Sequence, residues 1–382
     1  MAGHAAQLTV RWDDNSALEL GFHIERSTNG TSFTRVASVG PNATSYTDSS
    51  LAAGTKYWYR VKAYSLLTTS SYSNITSGTT ASSTSTSSTS GTTSGSTSTS
   101  ETTSGTDTST DTASTTPTSG RIKSYTARAV SGKSAATPIQ QTFTITGGSK
   151  SVLLRGIGPG LSKFTRSKIL TDPLLYLHSG TTKALVAKND NWGGRLSLLS
   201  LFSRLGAFAI PGYSKDAALH LNLAAKTYTQ TVNGDYSGLA QAELYDADTA
   251  KYPAGRFSKI FTRAAVGRGS GILIGGFVVT GDSPARLLIR AVGPSLGSTR
   301  NVLNDPVLTV HRGSTLVGRN DNWGGTSTLT SAFAQVGASA LASPSSKDSA
   351  LLLTLSPGVY SATVKGVSNS TGIARLEFYQ MP

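Results

Sequence analysis

Alternation of apolar and polar residues is the dominant pattern along this chain, and it predicts strand after strand. QLTVRW (residues 7–12), GFHIERS (21–27) and the stretch after the Asn29-Gly30 turn each alternate and stop at turn residues. Farther on, TFTITG, LLYLHSG and YTQTVNG, then GFVVTG, LTVHRG and YSATVKG, alternate and end at glycine, as half-buried strands do. Two stretches have a different spacing. Leu198, Leu199, Phe202 and Leu205 precede Gly206, and Leu329, Phe333 and Val336 precede Gly337. That is helical spacing closed by the residue favoured just past a helix C-terminus. The pattern predicts an all-β chain with two short helices.

The chain also repeats itself. SVLLRGIGPGL (151–161) pairs with RLLIRAVGPSL (286–296), and DPLLYLH from Asp172 with DPVLTVH from Asp305. NDNWGG occurs at 189–194 and 320–325, SKDAAL from Ser214 matches SKDSAL from Ser346, and AELYD matches LEFYQ near each end. The shared order predicts two homologous β-sandwich, jelly-roll-like repeats, residues 121–251 and 252–382, each with one short helix. Residues 1–80 read as a separate sandwich. Between them, residues 81–120 are mostly Ser and Thr and hold no apolar residue beyond Ala81, Ala113 and Pro117. Such a tract has nothing to bury against the entropy of ordering, so it reads as a disordered, flexible linker that spaces the flanking domains.

Composition narrows the function classes. The net charge of +14 divides into +1 for residues 1–80, −3 for 81–120 and +16 for 121–382. This excess would gather anionic partners, such as acidic polysaccharide or another cell-envelope polymer. No basic-aromatic patch or groove-reading helix points to specific nucleic-acid binding. The chain has no cysteine, which excludes a disulfide framework, a zinc-thiolate site or a thiol nucleophile. No apolar run approaches the ~20 residues that span a bilayer. The start, MAGHAAQLTVRW, lacks a signal-peptide pattern and reads as a truncated beginning.

Two resemblances follow from these phrases. Trp12, then Tyr46, Asp48, Leu51, Gly54-Thr55, Tyr57, Tyr59, Arg60, Val61 and Ala63, resemble a fibronectin type III domain whose first strand is missing. The order from DPxL through NDNW and DxAL to SPGVYSATVKGVSNSTGIARLEFY (356–379) resembles the C-terminal β-sandwich repeat of secreted Verrucomicrobia-type proteins. It is distantly similar to the bacterial pre-peptidase C-terminal domain. In the first copy Ala224-Ala225 stands where the second has Pro357-Gly358, which leaves that turn's geometry open. The resemblance implies an extracellular or cell-surface accessory function without known catalysis.

Candidate chemistry is sparse. GPSLG at 293–297 has the form of a nucleophile elbow around Ser295, but the first copy has Gly160 there and no strand-to-helix turn is predicted. His178 and His311 recur at strand ends, one per repeat, too few for zinc. Four acids recur: Asp172/Asp305, Asp190/Asp321, Asp216/Asp348 and Glu243/Glu377. One reading makes Asn189 and Asp190, and Asn320 and Asp321, a candidate calcium site of hard oxygen donors. The other, which we favour, lets the Asn-Asp-Asn phrase form turns and pairs aspartates with Arg155 and Arg290. Trp192 and Trp323 either stack on a sugar ring or fold back as plugs over the sandwich end, and the plug is the preferred reading. No catalytic residue and no cofactor beyond calcium is expected. Two function classes stand: a non-catalytic secreted or surface protein that adheres to glycan or envelope polymer or serves as a structural spacer, and the accessory tail of a secreted hydrolase.

Overall fold

The computed structural model describes residues 6–13, 21–40, 43–64, 69–82, 120–133, 137–180, 182–250, 253–297 and 299–382. The expected Ser/Thr linker lies outside them except for its ends. The chain divides into two compact units.

The first unit contains β1 (Ala6–Arg11), β2 (Gly21–Ser27), β3 (Thr34–Val39), β4 (Ser45–Leu51), β5 (Lys56–Tyr64) and β6 (Thr76–Thr79). β1 pairs with β4, and β3-β2-β5-β6 form a second antiparallel sheet. The alternation in β5 sends Tyr57, Tyr59, Val61 and Ala63 inward against Phe22, Ile24 and Leu51. Asp48 is buried but satisfied: Arg26 and the Tyr59 hydroxyl donate to it at 2.9 and 3.0 Å. Among the described residues β1 pairs only with β4, so one of its edges is open.

The second unit contains both repeats. The first is β7 (Arg121–Ser131), β8 (Ile139–Thr146), β9 (Lys150–Ile157), β10 (Leu174–Ser179), β11 (Leu185–Asn189), α1 (Leu196–Leu205), β12 (Ala217–Leu223), β13 (Thr227–Asn233) and β14 (Gly238–Asp246). The second repeats the order: β15 (Arg256–Val266), β16 (Leu273–Thr280), β17 (Ala285–Val292), β18 (Pro306–Arg312), β19 (Thr315–Asn320), α2 (Ser327–Val336), β20 (Ser349–Leu355), β21 (Gly358–Gly366) and β22 (Gly372–Gln380). The fold is all-β, as the alternation predicts.

The repeats do not form separate sandwiches. Hydrogen bonding runs β12-β9-β14-β7-β16-β21-β18-β19 in one direction and β20-β17-β22-β15-β8-β13-β10-β11 in the other, joined where Val130 meets Ala265. Each eight-stranded run takes half its strands from each repeat. The exchange is carried by the long first strands: β7 pairs with β14 of its own repeat and β16 of the other, and β15 pairs with β22 and β8. Both have 11 residues, longer than the other strands of the unit, which gives each the length to serve two neighbours.

One core fills the space between the runs. Tyr125, Phe277 and Phe378, from β7, β16 and β22, meet with ring centroids about 5 Å apart. Each fully buried ring contributes on the order of 1.5–3 kcal/mol. Gly275 lies under this cluster because a Cβ there would come within 2.7 Å of Leu376.

α1 buries Leu198, Leu201 and Phe202, whereas Leu199, placed inward by the sequence pattern, faces solvent. The inward set follows the i, i+3, i+4 stripe of an amphipathic helix. Gly206 at φ +65° and Gly337 at φ +59° close the two helices. The turn left open at Ala224-Ala225 repeats one bond of its counterpart, since Tyr228 donates to Ala224 O as Tyr360 does to Ser356 O; this sets Ala225-Lys226, one residue on from the expected match, against Pro357-Gly358.

Candidate functional site

The recurring phrase NDNWGG forms the same loop in both repeats. Asn189 accepts at Oδ1 from the Ala218 N–H (2.9 Å) and donates from Nδ2 to Asn191 O (3.1 Å). Asn320 does likewise with Ala350 (2.9 Å) and Asn322 (3.0 Å). The chain then turns through two left-handed glycines, φ +70° and +65° at 193–194 and +70° and +63° at 324–325. A side chain at either position would be strained.

Trp192 and Trp323 fold inward, 2% and 7% exposed. Their indole N–H groups donate to Pro211 O and Ser343 O at 2.9 and 3.0 Å, and the rings lie against Phe202 and Phe333. Neither indole face is open to a sugar ring, so the stacking reading is corrected: a loop tryptophan flanked by glycines can bend back over the helix, and both do.

The residues of the calcium reading, Asn189, Asp190, Asn320 and Asp321, have different surroundings. The side-chain oxygens of Asn189 and Asn320 accept backbone N–H bonds, Asp190 is exposed, and Asp321 lies 3.5 Å from Arg319. Among the described residues no three His, Cys, Asp or Glu side chains gather as a metal would require. The two asparagine oxygens are spent on the turn, while Asp321 Oδ1 is buried without a hydrogen-bond partner.

Asp216 and Asp348 hold each Gly-Pro loop to the sandwich. Asp216 accepts from Gly158 N (2.7 Å), Gly160 N (2.9 Å) and the Ser214 hydroxyl, while its own carbonyl receives the Trp192 N–H. Burial pushes its carboxyl above the usual range, against the pull of these donors and of Arg155. Asp348 accepts from Gly293 N (2.7 Å), Ser346 and Ser295. Ser295 therefore donates to Asp348 and accepts the Ala342 N–H at 2.7 Å. It is a loop tie, and Gly160 leaves space for Ile210 in the same place.

Arg155 and Arg290 are equivalent, but their partners are glutamates, not the expected aspartates. Arg155 Nε donates to Glu243 at 2.5 Å and Nη1 to Phe208 O at 2.6 Å, with Phe202 and Phe208 against the guanidinium. Arg290 repeats this with Glu377 and Ser339 O. Burial and the neighbouring glutamate push the hydroxyls of Tyr245 and Tyr379 up. Ser151 Oγ lies 2.9 Å from His220 Nε2, in the manner of a nucleophile and base, yet Asp248 accepts the Ser151 N–H rather than orienting the imidazole. A triad would need the carboxylate on the other ring nitrogen.

The repeats diverge where the phrases do not match. Leu196 and Tyr213 are 78% and 92% exposed, and Arg195 is exposed beside them. A Cβ at Gly194 would come within 3.2 Å of the Gly212 backbone, so the segments that carry Arg195 and Tyr213 run close to each other. The second repeat has Thr326 and Ser327 at the positions of Arg195 and Leu196, with Pro344-Ser345 in the loop matching Tyr213. Thr326 caps α2 with its side chain, whereas no side chain caps α1. Searching for repeated residues missed this face because its signal is non-repetition. A second feature is a groove of about 280 Å3 lined by Arg121, Arg256, Thr146, Ser258 and Gln380.

No protein-family model and no curated protein matches the chain. Among solved structures it is similar to PNGF-II, at 9% identity over 68% of this chain and 58% of that one, TM-score 0.18. It is also similar to α-L-rhamnosidase from Dictyoglumus thermophilum, at 7% identity over 99% of this chain and 45% of that one, TM-score 0.17. The chain spans less than two thirds of either, and likenesses at this level carry no argument about function.

Proposed function

We propose that this is a non-catalytic extracellular or cell-surface protein whose tandem repeats adhere to an anionic glycan or cell-envelope polymer through the Tyr213 face. The resemblance of residues 1–80 to a fibronectin type III module fits a multidomain surface protein.

The observation that carries the reading is the exposure of Tyr213 beside Leu196 and Arg195 in the first repeat only. A solvated tyrosine ring offers a face to a sugar, and Arg195 together with the uncapped start of α1 favours a carboxylate or phosphate nearby. The +16 charge of residues 121–382 raises the local concentration of such a polymer.

The test is retention of the full chain on immobilised polygalacturonate across a salt gradient. Tyr213→Ala and Arg195→Ala should each elute earlier than the parent with unchanged melting temperature, and all should elute as salt rises, because exposed charges are screened within ~10 Å at 0.1 M. Arg256→Ala, in the groove, should elute with the parent. Unchanged elution of both face variants refutes this face as the contact, and an absence of retention at low salt leaves the spacer role.

A further inference from the structure

One cluster of buried charges, on β9 and β14, has no counterpart in the second repeat. Lys150 opens β9 and Asp246 closes the neighbouring strand β14, and both side chains are 1% exposed. Lys150 Nζ lies 3.0 Å from Asp246 Oδ1 and donates to Asp248 Oδ2 and Gly255 O, each at 2.7 Å. The Phe257 ring centroid is 5.4 Å from the amine. Asp246 Oδ1 also accepts the Asp248 N–H at 3.0 Å. Asp246 Oδ2 is buried without a hydrogen-bond partner and faces Lys123 Nζ at 3.6 Å.

The fold does not require these charges. At the equivalent positions the second repeat has Ala285 for Lys150, Gln380 for Asp246 and Ser258 for Lys123, on strands with the same pairing. Taking an ammonium and a carboxylate out of water costs several kcal/mol per ion, and Asp246 Oδ2 offsets that only through the Lys123 ammonium at 3.6 Å, without a hydrogen bond. A buried amine held 3.0 Å from a carboxylate oxygen is also the arrangement for condensation, because fixed proximity replaces a bimolecular encounter.

We propose that Lys150 and Asp246 are joined by an intramolecular isopeptide bond. Lys150 Nζ passes a proton to Asp248 Oδ2, and the freed lone pair attacks Asp246 Cγ. Charge develops on Oδ1, where the Asp248 N–H already points. The orphan Oδ2 leaves as water. Its two protons come, in net, from Lys150, relayed by Asp248 and Lys123, which end as they began. One C–N bond forms, one C–O bond breaks, and no oxidant or cofactor enters. Burial holds the Lys123 ammonium below its usual range despite Asp246, which makes it a readier proton donor. The bond would tie the start of β9 to the end of β14, as a disulfide would in a chain that has no cysteine.

Mass spectrometry of the denatured full chain decides the matter. The parent should be lighter than its sequence by one water, and a tryptic digest should contain a branched peptide joining Lys150 to Asp246. Lys150→Arg, which keeps the cation, should have the full sequence mass. Asp248→Asn keeps both bond-forming groups but removes the proton acceptor, so it should contain a large unreacted fraction. A parent at full mass with linear Lys150 and Asp246 peptides overturns the proposal and leaves a plain ion pair. So does a missing water that persists in Lys150→Arg.

Discussion

Replacing Glu243 with glutamine tests whether the buried arginines depend on their partners. The substitution keeps the side chain's shape and removes its charge. Arg155 is fully buried. Without the glutamate, its remaining contacts include one carbonyl, Phe208 O, and the faces of Phe202 and Phe208. Glu243 also receives Gln241 Nε2 at 2.6 Å and the Tyr245 hydroxyl at 3.1 Å, so the change disturbs a network rather than one bond. Removing one member of a buried pair costs about 3–5 kcal/mol, because the other charge stays out of water. Against a domain stability on the order of 5–15 kcal/mol, that is a large loss.

The assay is urea unfolding of the full chain, reading the midpoint and slope of the transition that belongs to the second unit. Glu243→Gln and Arg155→Met should each lower stability by about 3–5 kcal/mol. The double variant should lose much less than their sum, because it buries no unpaired charge. A single-variant cost under ~1 kcal/mol, the range of exposed pairs, would refute the claim that this pair is sealed from water. Strict additivity would refute the claim that the two residues act as one unit.

Three further expectations follow from the geometry. Gly325→Ala should destabilise more than Gly324→Ala, since both have left-handed φ but a Cβ at 325 would come within 2.5 Å of Pro344 while 324 is open; comparing the two melting temperatures isolates the close approach. Burial, Arg35 and Lys62 lower the His23 pKa from 6.5 to about 4, so the unfolded chain takes up this proton first and the first unit should lose stability as pH falls from 6.5 to 4. His23→Gln should flatten the pH dependence of its melting in that window. Residues 121–251 alone leave β7 without β16 and β8 without β15, so light scattering should find dimers or aggregates, and a stable folded monomer would refute the shared sheets.

Strand positions, helix ends and the duplication were legible because each rests on local spacing. Leu329, Phe333 and Val336 before Gly337 mark α2, and the matched phrases set Arg155 against Arg290. The exchange of partners was not legible. β7 shows the same inward pattern whether its outer neighbour is β8 or β16, since alternation reports which face is buried and not which strand lies alongside. β14 is buried at every residue, so it has no alternation to read. Lys150 follows Gly147-Gly148-Ser149, which reads as a solvated turn, and only the return of β14 and Phe257 covers it.

The bonds that both copies repeat also mark where the two can differ. Only β7 with β16 and β15 with β8 pair along their length across the repeats, whereas Arg155 and Arg290, Asp216 and Asp348, and Trp192 and Trp323 make the same bonds each within its own half. NDNWGG recurs for that reason: each asparagine ties a loop to the next edge strand, each glycine pair makes the reversal, and each tryptophan covers its helix. Positions outside these bonds are free to diverge. Arg195, Leu196 and Tyr213 lie at the loop end of the first repeat and Lys150 at the far end of β9, and at all four the second repeat has a smaller or uncharged residue. In a duplicated fold whose halves share their sheets, departures from symmetry that cost solvation, such as an exposed ring or a buried amine, are where a function separate from folding is expected.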